Sequence, residues 1–263
     1  MPTSALHVAR TGLEAQDARM RVIANNLANI GTTAFKRDRA DFATLAYQEQ
    51  RVAGQQSTGQ TAYAVGLNLG TGVQVQGTSR IEAQGTLNTT GNVFDVALDG
   101  PGYFQVELPP GGQVGFTRAG NFTLSADGTL ITSQGYAVQP ALQVPAGAQS
   151  IAISPDGTVS AITPGSSEPT LLGQLSIASF VNPAGLRAIG DNFLLETAAS
   201  GPAEIGAAGE NGRGQLRQGM LEASNVNVVE ELVEMIEAQR AYEINSKMVS
   251  AVDEMLRNAN QTL

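Results

Sequence analysis

The sequence predicts an α+β fold: long N- and C-terminal helices paired as a coiled-coil-like α domain, an inserted all-β domain, and an extended β-like arm connecting them. Three observations predict it. Apolar residues recur every seven positions at both ends, Gly and Gln crowd residues 50–80, and short alternating runs between turn dipeptides fill residues 93–212.

The first thirty residues read as one helix. Leu6, Leu13, Met20 and Leu27 form one row at heptad spacing, and Ala9, Gln16, Ile23 and Ile30 form a second row three positions on. Two such rows make the seam of a coiled coil or a bundle helix. Gly31 is a natural stop, because Gly tolerates the left-handed conformation that follows many helices. The last forty residues read as a second helix, with Asn227 as N-cap and Glu230 three residues on, as in a capping box. Val228, Met235, Tyr242, Val249 and Leu256 repeat every seven residues, and no Gly or Pro interrupts Val226 to Leu263. Acids crowd the start and bases come later, which suits the helix dipole.

Between the ends the pattern changes. Gly54, Gly59, Gly66, Gly70, Gly72 and Gly77 punctuate a stretch that reads either as a flexible linker or as an extended strand-like arm. Beyond it, Asp99-Gly100, Asp127-Gly128 and Asp156-Gly157 are hairpin signals. These shifts set the expected boundaries. Residues 1–34 and 222–263 form the helical domain, residues 35–92 and 213–221 the connecting region, and residues 93–212 the β domain.

Composition narrows the function. At 263 residues with 42% hydrophobic content the chain can build one large or two modest domains, while 5% aromatics and no Trp disfavour a deep aromatic ligand pocket. A net charge of −9 argues against nucleic acid or anionic lipid as main partner. The charge is uneven: residues 1–40 carry six bases and three acids, and residues 222–263 carry eight acids and three bases. The two ends therefore attract each other weakly. With no Cys there are no disulfides or thiolate sites. Charged residues break up the N-terminal apolar pattern, so no secretory signal peptide is expected, and no apolar run reaches membrane-spanning length.

Catalysis finds little support. His7 is the sole histidine and lies near no nucleophile motif, and Gly70-Thr71-Gly72 and Gly100-Pro101-Gly102 read as tight turns rather than dinucleotide loops. The acids of the β region, Asp95, Asp99, Glu107, Asp127, Asp156, Asp191 and Glu196, stand mostly at turns or strand ends. No catalytic residue, cofactor or metal site is expected. Asn25, Asn26 and Asn29 stand at the end of an apolar seam, where spacing alone leaves two readings open. They are either a solvated, fraying helix end or hydrogen-bonding groups that fix register.

Ile23-Ala24-Asn25-Asn26-Leu27-Ala28-Asn29-Ile30-Gly31-Thr32-Thr33-Ala34-Phe35-Lys36 resembles the N-terminal signature of flagellar rod and hook axial proteins. Ser224-Asn225-Val226-Asn227-Val228-Val229-Glu230-Glu231-Leu232, continuing through Gln239 to Lys247, resembles their C-terminal signature. Asp95 to Phe104 and Phe116-Thr117-Arg118-Ala119-Gly120-Asn121-Phe122 are similar to phrases of their β domain. Ala34 stands where Gly is usual before the Phe, and Ala119 where Asp usually follows the Arg. The stretch Tyr47–Val73 resembles one specific to the distal-rod branch, with proximal-rod or hook membership as the alternative. A secreted β-domain enzyme or glycan-binding module, or a cytosolic coiled-coil adaptor, would be rivals from other classes.

The resemblance implies a structural subunit that polymerises into a hollow helical drive shaft and carries motor torque to the hook. The terminal helices would line an inner tube, the β domain would form its outer layer, and the arm would reach a neighbouring subunit. Implied partners are further copies of the chain, proximal-rod proteins, hook or hook-adjacent subunits, the surrounding P- and L-ring proteins and the flagellar type III export apparatus. The place implied is the basal body from periplasm to outer membrane, reached without a cleaved signal peptide. Leu6, Leu13, Met20, Ile23, Asn26 and Leu27 from one helix would make the self-assembly contacts with Val228, Leu232, Met235, Tyr242, Val249 and Leu256 from the other.

Overall fold

Helix α1 spans Pro2–Ala28 and helix α2 spans Val228–Gln261, and nearly everything between them is strand and turn. This computed structural model describes residues 2–58, 61–109, 112–145, 147–148, 150–163 and 168–261. The α+β reading is the observed architecture. The chain divides into two compact units, one of residues 1–28, 38–79 and 227–263, the other of residues 29–37 and 80–226.

In the first unit α1 and α2 run antiparallel. A Cβ at Gly12 would meet the Asn245 amide, Arg19 reaches Glu234 at 3.5 Å, and Asn26 bonds Glu231. Asn227 caps α2 as its sequence suggests, its side-chain oxygen accepting from the Val229 N–H at 3.1 Å. The arm is a ribbon of nested pairs. Asp38–Thr44 pairs with Val73–Arg80, Gln48–Arg51 with Leu67–Leu69, and Gln56–Thr58 with Thr61–Ala62. Its base rests on α1, where Thr11 lies against Gly72 and its hydroxyl accepts from the Val73 N–H at 3.4 Å.

The second unit is built on a seven-stranded sheet. Its main path runs Arg187–Gly190, Phe193–Leu195, Gln113–Thr117, Tyr103–Leu108, Ser176–Ser179 and Glu204–Ala207. A second, three-stranded sheet joins Ser150–Ile153, Thr158–Ile162 and Thr170–Gln174. The aliphatic residues Val96, Leu98, Val106, Leu175, Ile177 and Leu216 are fully enclosed around Phe104, whose ring meets Phe122 edge to face with centroids 5.1 Å apart. Gly120 is indispensable to this closure, since a Cβ there would fall 1.7 Å from the Val96 carbonyl oxygen.

Two local expectations change. Asp127-Gly128 and Asp156-Gly157 do turn neighbouring strands back, with both glycines at positive φ. Asp99-Gly100 is not a hairpin. The strand before it, Val96–Asp99, pairs with Gln215–Gln218, and the one after it, Tyr103–Leu108, joins the main sheet, so the dipeptide is a corner. The left-handed residue after α1 is likewise Ala34, at φ 57°, and not Gly31. The Ala34 N–H there donates to the Glu222 carbonyl at 2.8 Å, which fixes the backbone in a conformation that Gly would adopt without strain.

Candidate functional site

The helix faces are the candidate site, and the rows that meet inside the chain are not the large apolar ones. On α1 the buried residues are Ala9, Thr11, Ala15, Ile23 and Asn26. On α2 they are Glu231, Ala238 and Val252, which share seven-residue spacing with Asn245 opposite Gly12. Small side chains let the two backbones approach, so small and polar residues outcompete Leu and Met for the inner seam.

The predicted contact residues are distributed around that seam. Ile23 and Asn26 are buried in it. Leu6, Leu13, Met20 and Leu27 are half-buried, as are Met235 and Val249. Val228, Leu232 and Tyr242 are exposed, and the Leu256 side chain lies outside the described residues. Further apolar residues of α2 face outward, with Val229 at 70%, Ile244 at 61% and Met255 at 61% exposure. A sequence reading confined to one heptad row passes over these, although they are apolar neighbours of that row.

Asn26 resolves the open question about the asparagines. Its amide donates to the Asp38 carbonyl at 2.8 Å and to the Glu231 carboxylate at 3.1 Å, and its oxygen accepts from the Asp38 N–H at 2.9 Å. One side chain thus fastens α1, the root of the arm and the first turn of α2. Asn25, its neighbour, is exposed. The register-fixing reading holds for Asn26.

A second polar network lies wholly within the β-containing unit. The Glu222 carboxylate, 1% exposed, receives the Lys36 ammonium and the Gly85 N–H on one oxygen and Arg118 Nε on the other. Lys36 also donates to the Ala83 carbonyl at 2.8 Å, and Arg118 to the carbonyls of Gly102 and Gly100, both at 3.0 Å. Burial by itself pushes the Glu222 carboxyl up, but the Arg118 charge, the Lys36 hydrogen bond and the Gly85 N–H outweigh it and leave it below the usual carboxylate range. Burial, aided by the Arg118 charge, holds the Lys36 ammonium below its ordinary value. Tyr103, bonded to Glu82 at 2.8 Å, is raised by burial and then by that carboxylate.

Several acids of the β region have structural partners. Asp95 accepts from Thr90 and Asn92, Asp156 closes its turn onto Thr158, and Asp99 pairs with Arg217 at 3.1 Å. Among the described residues no cluster of three or more metal-ligating side chains occurs, and no helix is long and apolar enough to cross a membrane.

Residues 6–36 match the family described as flagella basal body rod protein. Residues 97–161 match the D1 domain of flagellar hook protein FlgE/F/G, and residues 217–262 the C-terminal part of flagellar basal body rod FlgEFG protein. The flagellar basal-body rod protein FlgG of Buchnera aphidicola subsp. Acyrthosiphon pisum is 47% identical, covering 97% of this chain and 98% of its own. FlgG of Caulobacter vibrioides is 45% identical over 98% of both chains, whereas FlgF of that organism is 31% identical over 99% and 98%. Full-length likeness at these identities, strongest toward FlgG, means that the chain belongs to the FlgG family of flagellar basal-body rod proteins.

Proposed function

We propose that this chain is a structural subunit of the flagellar distal rod, polymerising into a hollow helical shaft that transmits torque to the hook. The observation that carries this reading is the outward apolar surface of α2. Val229, Val233, Ile236, Ile244, Met248 and Met255 are exposed on a helix whose inner seam is already occupied. Apolar area contributes about 25 cal/mol per Å² when covered, so such a helix is stabilised by neighbours. A contact of this kind, repeated by a rotation that does not close, makes a helical filament.

In this reading α1 and α2 form the inner tube as a coiled-coil-like layer, narrower than the expected 1–34 and 222–263 because residues 29–34 and 222–226 belong to the β unit, and residues 93–212 form the outer layer. Residues 35–92 with 213–221 connect them, and 47–73 reaches the next subunit. Leu6, Leu13, Met20 and Leu27 act with Val228, Leu232, Met235, Tyr242, Val249 and Leu256 at the assembly contacts, while Ile23 and Asn26, expected among them, hold α1 inside the chain instead. Partners are the proximal-rod and hook proteins, the P- and L-ring proteins and the type III export apparatus, in the basal body between periplasm and outer membrane. The work is mechanical and needs no catalytic group or cofactor.

Electron microscopy of basal bodies from a strain lacking residues 47–73 tests the reading. A shortened or softened rod is expected, and a straight rod of normal length would overturn the distal assignment in favour of a proximal-rod or hook role.

A further inference from the structure

The Glu222 network joins segments that are distant in sequence but all within one unit. Lys36 belongs to the N-terminal flank of that unit, Glu222 to its C-terminal flank, Gly85 to the first strands' approach, and Arg118 to the core hairpin. The flanks are cross-tied a second time. The Asn225 side chain accepts from the Arg37 N–H at 2.7 Å and donates to the carbonyls of Ile81 and Ala83, both at 2.9 Å, while its N–H reaches the Phe35 carbonyl. The remaining partners of the flanks include residues 81–87 and the Arg118 corner, with the Ala223 N–H reaching the Thr86 carbonyl, and the Asn192 amide donates to the Thr33 carbonyl at 2.9 Å.

The charges are unbalanced in an instructive way. Lys36 and Arg118 are both nearly inaccessible, and one carboxylate serves them both. Glu82, the next acid toward Lys36, is bonded to the Tyr103 hydroxyl, and Arg80 acts on Tyr103 from beyond it. Removing the Glu222 charge leaves two buried cations facing each other, and removing Lys36 leaves a carboxylate with half its partners. Both are costly in a low-dielectric site.

We infer that Lys36, Arg118 and Glu222 form a two-flank clasp: neither residues 33–37 nor residues 222–225 stay docked on the β core unless the other flank is in place, and acid opens both together. The hydrophobic core around Phe104 contains none of these groups, so the core strands outlast the clasp. The acid sensitivity follows from Glu222. Its folded carboxyl titrates below the unfolded one, so its stabilisation is present above the ordinary carboxylate range and is lost as pH falls through the folded value. Lys36 is also lowered, by burial and then by the Arg118 charge, so its contribution rises with pH between its folded and unfolded values.

Amide hydrogen exchange on the full-length monomer, read residue by residue, tests the clasp. The reporters are the N–H groups of Ala34 and Arg37 on one flank, Gly85, and Asn225 on the other. The strands Tyr103–Leu108 and Ser176–Ser179 serve as core controls. Lys36→Met is expected to lower protection at Gly85 and Asn225 as well as at Ala34 and Arg37 by about 100-fold, with the core strands unchanged. In the wild-type chain, lowering pH from about 7 to about 2 should release both flanks in one step before the core. Loss confined to residues 33–37 in Lys36→Met overturns the coupling. Release of the flanks at separate pH values, or only with the core, overturns the clasp. Should Lys36→Met fail to fold, the wild-type pH series decides alone.

Discussion

The two units finish their hydrophobic burial to different degrees. The β unit encloses its aliphatic and aromatic core from Val96 to Leu216, while the helical unit leaves Val229, Val233, Ile236, Ile244 and Met248 in solvent. Their polar interiors differ in kind as well. Asn26 fastens the helices through a neutral amide against Glu231, whereas the β unit is tied by a carboxylate between two cations. The β unit has an enclosed core with exposed apolar residues such as Val181 and Leu171 scattered on its strands and loops, whereas the helical unit gathers exposed apolar residues along α2.

The sharpest way to break this contrast is to charge the exposed α2 face. The double change Val233→Glu and Ile236→Glu should abolish tube formation by electron microscopy, yet alter monomer stability by no more than about 0.5 kcal/mol, since surface changes are nearly neutral. A folded monomer that still forms tubes would remove α2's outer face from the assembly contact. In the β unit the reverse is expected. Phe104→Ala should cost about 3–5 kcal/mol in denaturant unfolding, because it empties the centre of the core. A loss well under that would mean that the core relaxes far more than its close packing suggests.

Asn26→Ala lies between these extremes. It removes the hydrogen bonds to the Asp38 backbone and to the Glu231 carboxylate, for a cost of about 1–3 kcal/mol in urea unfolding, and should act on the helical unit alone. The smallest effect is expected at Ala34→Gly. Gly adopts φ 57° without strain, so thermal unfolding should show stabilisation by about 0.5–1 kcal/mol, and destabilisation would show that the Ala methyl packs better than its backbone suffers.

Much of the α+β plan was readable because heptads, capping and Asp-Gly turns are local signals. Which row faces inward was not. Heptad counting gives both the Leu6 row and the Ala9 row on α1, but close approach favours Ala9, Ala15 and Ala238, and only a partner helix decides between the rows. The Glu222 network was equally hidden. Lys36 and Arg118 both fall in family-like motifs, but 186 residues separate Lys36 from Glu222, and no periodicity links positions that distant. Asn26 was legible as a question, and its answer needed Asp38 and Glu231 in space.

The nested pairing of the arm has a consequence for how its reach is set. Because its strands fold back on each other, residues 44 and 73 are already neighbours, with the Leu45 N–H bonded to the Gly72 carbonyl at 3.0 Å. Equal numbers of residues removed from or added to both limbs change how far the tip extends and leave the root on Thr11 undisturbed. An odd residue in one limb turns every later side chain to the opposite face. The ribbon already takes up two such residues as bulges, between Glu49 and Arg51 and between Gln56 and Thr58, so changes farther along it need not reach the root on Thr11.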